Sequence, residues 1–373
     1  MPGPMPTLPF PRSGLPTPAL VLDRAALARN IGRMAAFAAA RGIALRPHAK
    51  THKSAAIGRL QVAAGAAGLC CAKLGEAEAL AAEGLSGLHL TSPVVAPGAV
   101  ARLIALHRRS AGLSVVADHP DNVRALAAAN AGGGPLAVLV DVDPGTHRTG
   151  VASAEAAVAL AGEIAGAGTL RLAGVQYYCG SLQHIQGFAA RLAAVAERTD
   201  YLRTVLAALR AAGHEIALVT GGGTGSFAID AELGVLTELQ VGSYVFLDRE
   251  YGDCEPGAGD APLFEPALFL DATVISANAA GMATVDAGLK ALATDAGPPV
   301  VVAGAPAASR YLFMGDEHGA IVAEEGEPPA LGARVTLQPG HCDPTVNLHD
   351  AYHLLDGETV VEIWPVTARG RST

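Results

Sequence analysis

The chain has 373 residues, with 26 Lys and Arg against 35 Asp and Glu for a formal charge of −9, and only 4% aromatic residues. That length supports one large domain and a smaller one, while the acidic balance and the absence of a Lys/Arg run set aside a nucleic-acid partner. No run of about 18 apolar residues suggests a membrane span. Five cysteines, an odd number with Cys70 beside Cys71, point to a reduced cytoplasm rather than a disulfide framework.

Residues 1–16, proline-rich and without an apolar h-region, read as an extended N-terminal arm rather than a signal peptide. From 17 to 253, short apolar runs alternate with Ala-rich stretches of helical period, the pattern of a parallel sheet with crossover helices. Nine runs qualify as strands: TPALVLD (17–23), IALRPHAK (43–50), GLCCAK (68–73), GLHLTS (87–92), LSVVAD (113–118), LAVLVDVD (136–143), LAGVQYY (172–178), IALVTGG (216–222) and LQVGSYVFL (239–247). Leu27, Ile31, Met34 and Ala38 mark one helical face among them, and Phe188, Leu192, Val195, Leu202, Leu206 and Leu209 a longer one. About eight strand–helix units with Gly-rich, polar strand ends favour an α/β fold, a closed (β/α)8 TIM-like barrel, over an open sheet. Residues 254–373 begin with the loop CEPGAGDAP and continue in strand-like runs such as LFLDATVISA, GMATVDAG, PPVVVAGA, ARVTLQ and TVVEIWPVTA. They read as a C-terminal β domain.

Among the basic residues only Lys50, Lys53, Lys73 and Lys290 are lysines, so arginine serves wherever a generic charge suffices. Lysine, unlike arginine, can be tuned into a nucleophilic amine. In RPHAKTHK (46–53), Lys50 stands among Arg46, His48, His52 and Lys53, and positive neighbours favour the neutral amine that an aldehyde cofactor needs. A phosphate-binding or solvated basic loop fits the local sequence equally well. VTGGGTGSF (219–227) follows a strand with glycines that let N–H groups approach an anion, which suits one phosphate, although such loops also serve merely to turn. DVDPGTHRTG (141–150) places Arg148 at a strand end, to hold a carboxylate or a cofactor's pyridine nitrogen, or else to pair with Asp141 or Asp143. YYCGSLQH (177–184) offers a phenol and His184, a lone histidine being more often structural. In PGHCDPTVNLHD (339–350), His341 and Asp343 share one side of an extended segment and Cys342 faces the other. One nitrogen and one oxygen ligand suit Mn2+, Mg2+ or Zn2+, with water completing the shell; a plain polar loop is the alternative.

TPALVLD, RPHAKTHK, DPGTHRTG, GGGTGS, TELQVGSYVFLD and GHCDPTVNLHD, in this order along nearly the whole chain, resemble the fold type III pyridoxal-phosphate enzymes. More narrowly they are similar to the D-threonine aldolase and D-serine dehydratase group, an alanine-racemase-like barrel followed by a β domain. The resemblance implies pyridoxal 5'-phosphate held by Lys50 as a Schiff base. It implies a phosphate cradle of Thr224, Gly225 and Ser226 with further donors at Gly242, Ser243 and Tyr244, Arg148 facing the ring, and Tyr178 touching phosphate or ring. A divalent ion, Mn2+ foremost, would sit on His341 and Asp343, with His184 taking the proton of a substrate β-hydroxyl. A homodimer acting on small D-amino acids completes the expectation. Dehydratases of the group carry a His-x-Cys pair and aldolases His-x-Asp, and this chain reads His341-Cys342-Asp343. The expected reaction is therefore cleavage of D-threonine-like D-β-hydroxy-α-amino acids to glycine and an aldehyde. The alternative within the group is a D-serine or D-3-hydroxyaspartate dehydratase giving a 2-oxo acid and ammonia.

Overall fold

The computed structural model describes residues 7–257 and 263–373; residues 1–6 of the arm and 258–262 of the CEPGAGDAP loop lie outside the described residues. Two strands, β1 (Phe10–Pro11) and β2 (Ala19–Asp23), come first. Eight parallel strands follow: β3 (Ala44–Leu45), β4 (Cys70–Cys71), β5 (His89–Leu90), β6 (Ser114–Ala117), β7 (Leu136–Asp141), β8 (Leu170–Tyr177), β9 (Val219–Gly221) and β10 (Glu238–Leu239). A helix separates each from the next, as the alternating pattern predicts. Their spatial order is β3-β10-β9-β8-β7-β6-β5-β4, and a parallel bridge between His48 and Cys70 joins the two ends. Cys70 N donates to Pro47 O and Ala49 N to Cys70 O, both at 2.8 Å, so the ring closes beside Lys50. The helix Arg24–Arg41 shows how sequence sets local structure. Asp23 caps it by accepting from Ala26 N at 2.8 Å, and Leu27, Ile31, Met34 and Ala38 form its buried stripe. In the long helix Phe188–Ala211, Val195, Leu202 and Leu209 are buried.

The second sheet gathers β11 (Leu268–Ser276), β12 (Met282–Val285), β13 (Val300–Ala303), β14 (Arg310–Phe313), β15 (Gly319–Val322), β16 (Arg334–Gln338), β17 (Ala351–Asp356) and β18 (Thr359–Pro365). Its order is β1-β18-β17-β2-β11-β12-β15-β14-β13-β16, and β16 pairs back onto β11 to close a C-terminal antiparallel barrel. Of these strands, β14, β15 and β17 carried no run that stood out in the sequence.

Two sequence expectations are corrected. TPALVLD does not open the parallel barrel: β2 lies inside the second sheet, antiparallel to β11 and parallel to β17. Leu20 and Leu22 enter the main core while Ala19 and Val21 enter a separate cluster with Phe10, Leu15 and Val360. A strand buried on both faces reads as a continuous apolar run in either setting, so periodicity alone does not place it. LQVGSYVFL is strand only at its start; Ser243–Val245 is a 3-10 turn. Among the described residues no helix is long and apolar enough to cross a membrane.

The arm packs on the second sheet. Arg12 reaches the buried Asp271 through Nε at 2.8 Å and Nη2 at 2.6 Å, and Arg334 and Thr336 add bonds of 2.9 and 2.8 Å. A carboxylate with no exposure depends on these partners. Arg12→Ala is expected to cost about 1–3 kcal/mol, since Arg334 still answers part of the charge. A urea unfolding midpoint unchanged from wild type would contradict this.

Candidate active site

A cavity of about 520 Å³ opens at the C-terminal ends of the parallel strands. Lys50 enters it from the loop after β3, and its ammonium contacts the carboxylate of Asp343 from the second domain. That loop is pinned from the same domain: Tyr352 OH donates to His52 O at 2.6 Å, and Ala368 N to Lys53 O at 2.8 Å.

The electrostatics around Lys50 reverse the sequence reading. Burial alone would lower its pKa, but Asp343 holds the ammonium well above the ordinary lysine value. The supposed cationic cluster is already neutralised. Arg46 pairs with Glu238 at 3.0 Å, Lys53 with the buried Glu76, and burial pushes His48 well below its usual range and His52 down to about 4. Burial likewise works against ionised Asp343, yet Lys50 and His341 hold its pKa at about 2.

At the opposite rim, Gly223, Thr224, Gly242 and Ser243 line the cavity. Among the described residues the N–H groups of Thr224 and Gly242 have no protein acceptor, and a Cβ on Gly242 would come within 2.7 Å of Thr51 Oγ1. Unsatisfied donors beside a gap that only glycine leaves open fit a phosphate. Gly225, Ser226 and Tyr244 do not line the cavity. Gly225 N donates to Gln183 Oε1 at 3.0 Å. The Ser226 hydroxyl accepts from Gln183 Nε2 and Gly223 N and donates to Asp230 at 2.6 Å. Tyr244 N is bound to Thr224 Oγ1 and its hydroxyl to Gln61. These three hold the loop's shape from behind, a role that Gly-rich spacing does not reveal.

Arg148 and Tyr178 line the same cavity, the guanidinium 5.3 Å from the centre of the phenol ring. The ion pair with Asp141 or Asp143 does not form: Asp143 takes the N–H groups of Gly145, Thr146 and His147, while Asp141 accepts from Gln176 at 2.9 Å. Beneath, His89, Gln176, Gln240 and Thr220 form a buried hydrogen-bonded floor. Burial lowers His89 to about 4, so this floor adds no charge.

The metal-pair segment is not extended. Cys342–Val346 is a short helix, His341 stands at its N-cap, and Pro344 occupies its first turn, where a missing N–H costs nothing. Thr345 Oγ1 donates to His341 O at 2.9 Å. His341 Nε2 lies 3.9 Å from Asp343 Oδ1, a buried oxygen without a hydrogen-bond partner. Cys342 is fully buried and turned into the core, by helix geometry rather than by strand alternation. No third His, Cys, Asp or Glu joins them in a metal-holding cluster among the described residues. Asp295, which sequence reasoning missed, meets His341 Nδ1 at 2.6 Å, orienting the ring and leaving Nε2 for an ion. One nitrogen and one orphaned carboxylate oxygen fit a divalent ion that keeps open positions. His184 packs against Tyr251 with ring centres 4.3 Å apart and planes tilted by 56°; its Nδ1 is 3.7 Å from Glu250, and its Nε2 is buried without a partner. Burial, with Lys50 and His341 adding to it, lowers its pKa despite Glu250. Glu250 and Tyr251 were also missed, because the four-residue helix that carries them has no periodicity to read.

Residues 22–250 match the alanine racemase N-terminal domain family and residues 267–355 the putative serine dehydratase domain family. The chain is 40% identical to a D-threonine aldolase of Arthrobacter sp over 365 residues, covering 97% of this chain and 95% of that protein. It is 38% identical to a 3-hydroxy-D-aspartate aldolase of Paracoccus denitrificans (strain Pd 1222) over 373 residues, covering 98% and 96%. The crystal structure of D-threonine aldolase from Filomicrobium marinum superposes with a TM-score of 0.95 at 42% identity, covering 98% of this chain and 99% of that one. A D-threo-3-hydroxyaspartate dehydratase mutant in the metal-free form is more distant, with a TM-score of 0.82 and 31% identity over 95% and 98%. The chain therefore belongs to the alanine-racemase-like fold type III family of pyridoxal-phosphate enzymes, carries the serine-dehydratase-type second domain, and is a homologue of the D-threonine aldolase lyases.

Proposed function

We propose that the chain is a pyridoxal-phosphate- and divalent-metal-dependent aldolase that cleaves D-β-hydroxy-α-amino acids, of the D-threonine or 3-hydroxy-D-aspartate type, to glycine and an aldehyde. The observation that carries this reading is the contact of Lys50, which lines the cavity, with Asp343 of a His341–Asp343 pair, while Cys342 points into the core. A His-x-Cys site would carry its thiol at position 343, where this chain has Asp343. The proposal includes Mn2+ as the ion and a homodimer, as the family resemblance implies, and action in the cytoplasm, as the cysteine usage suggests.

When bound, pyridoxal phosphate supplies a sink for the electron pair left at the substrate α-carbon, and a divalent ion makes a coordinated hydroxyl more acidic. The chain does the rest. Lys50 would hold the cofactor, the N–H groups of Thr224 and Gly242 with the Ser243 hydroxyl would take its phosphate, and Arg148 with Tyr178, which line the same cavity, would be available to the rest of it. His341 Nε2 and Asp343 Oδ1 hold the ion. His184, kept neutral chiefly by burial, accepts the β-hydroxyl proton at Nε2, and Glu250 beside Nδ1 stabilises the charged ring that results.

Product analysis tests the reaction. With Mn2+, D-threonine should give glycine and acetaldehyde in equal amounts, and D-3-hydroxyaspartate glycine and glyoxylate, without ammonia. EDTA should stop both and Mn2+ restore them. A 2-oxo acid with ammonia would establish the dehydratase instead. His341→Ala and Asp343→Ala should each lose at least about 100-fold in cleavage while keeping bound cofactor, and Cys342→Ala should stay within a few-fold of wild type.

The cofactor lysine is tested separately. Lys50→Ala should lose both turnover and the absorption near about 420 nm expected of a lysine-bound cofactor. Lys53→Met should keep the band yet unfold about 3–5 kcal/mol more easily, because Glu76 would lose its buried partner. A Lys50→Ala protein that retains the band would refute the assignment.

A further inference from the structure

We infer that Asp248 is a positioning residue for the metal-binding turn, clasping His341–Asp343 to the barrel mouth through both of its carboxylate oxygens; the inference rests on the reading of that pair as metal ligands. Asp248 is completely buried. Its Oδ1 accepts from Tyr251 N at 3.2 Å and so caps the helix Arg249–Gly252. Its Oδ2 accepts from Cys342 N at 3.1 Å, the amide of the peptide that joins His341 to Cys342. One side chain thus caps two short helices from segments 94 positions apart.

The surrounding main chain shows that the two segments are built to meet. Arg249 N donates to Pro339 O at 3.3 Å, Glu250 N to Gly340 O at 3.2 Å, and Gln338 Nε2 to Leu247 O at 3.0 Å. Leu247, immediately before Asp248, adopts φ +47, a left-handed conformation that a residue with a Cβ rarely takes and that persists only where its surroundings hold it. On one side of the clasp Tyr251 packs against His184; on the other, His341 and Asp343 face each other across 3.9 Å. A single carboxylate therefore sets the ion's ligands and the neighbouring imidazole in a common frame, without touching ion or substrate.

Asp248→Asn discriminates this role because the shape is kept while one acceptor becomes a donor. Asparagine satisfies one of the two amides and opposes the other with its own N–H. The holoenzyme is titrated with Mn2+ and binding is read by electron paramagnetic resonance of the free ion, alongside the cofactor absorption band. The variant is expected to keep the band, to bind Mn2+ about 10–100-fold more weakly, and to recover turnover as Mn2+ is raised. Gln338→Ala opens the same clasp from its other end and is expected to weaken Mn2+ binding less. Asp23→Ala removes a helix cap elsewhere; it should lower thermal stability and leave Mn2+ affinity unchanged, which separates positioning from general destabilisation. Wild-type Mn2+ affinity in whichever of Asp248→Asn and Gln338→Ala folds overturns the inference. Absence of Mn2+ binding by the wild-type holoenzyme overturns it together with the metal reading beneath it.

Discussion

The contact between Lys50 and Asp343 joins positions 293 residues apart and is the constraint on which the site depends. Asp343 is only 12% exposed, so its carboxylate needs a partner, and Lys50, 39% exposed at the cavity, supplies it. Paired, each fixes the other's ionisation: the ammonium is held above its ordinary value and, against the effect of burial, the carboxylate stays at about 2. Asp343 thereby has two faces. Oδ2 answers the lysine, and Oδ1 turns toward His341. The parallel barrel supplies one partner and the antiparallel domain the other, so the site exists only where the two domains meet.

The same division explains the neutral groups nearby. His48, His52 and His89 are all buried and all have lowered pKa values, so the lysine loop and barrel floor add little positive charge. Among the cavity's lining residues, Arg148 forms no ion pair with the described residues and stays open to an anion. Lys53 in the same loop is structural. It meets Glu76, whose other oxygen accepts from Ala72 N at 2.8 Å and ties the loop to the next strand–helix unit.

Much of this was legible in the sequence where a rule has one outcome. Alternation of apolar runs with helical stripes gave the parallel barrel, and the scarcity of lysine drew attention to Lys50. Errors arose where one pattern has two physical realisations. An apolar run buried on both faces is a strand, but Leu20 and Val21 do not say in which sheet. A cluster of basic residues around Lys50 implies a depressed pKa only if carboxylates such as Glu238, Glu76 and Asp343, distant in sequence, are not folded against it. Alternation turned Cys342 away on the right side for the wrong reason, because Cys342–Val346 is a helix. Gln183, Asp248, Glu250 and Asp295 were invisible for a simpler reason: each acts through a contact that only the tertiary fold creates.

The central claim is that the ion sits on the second domain's turn, beside the lysine of the barrel. Anomalous diffraction at the manganese edge, from crystals grown with pyridoxal phosphate and Mn2+, tests it most directly. The account predicts one strong peak within bonding distance of His341 Nε2 and Asp343 Oδ1 and none at Cys342 Sγ. A peak coordinated by the cysteine, or manganese only at sites remote from Lys50, would contradict it.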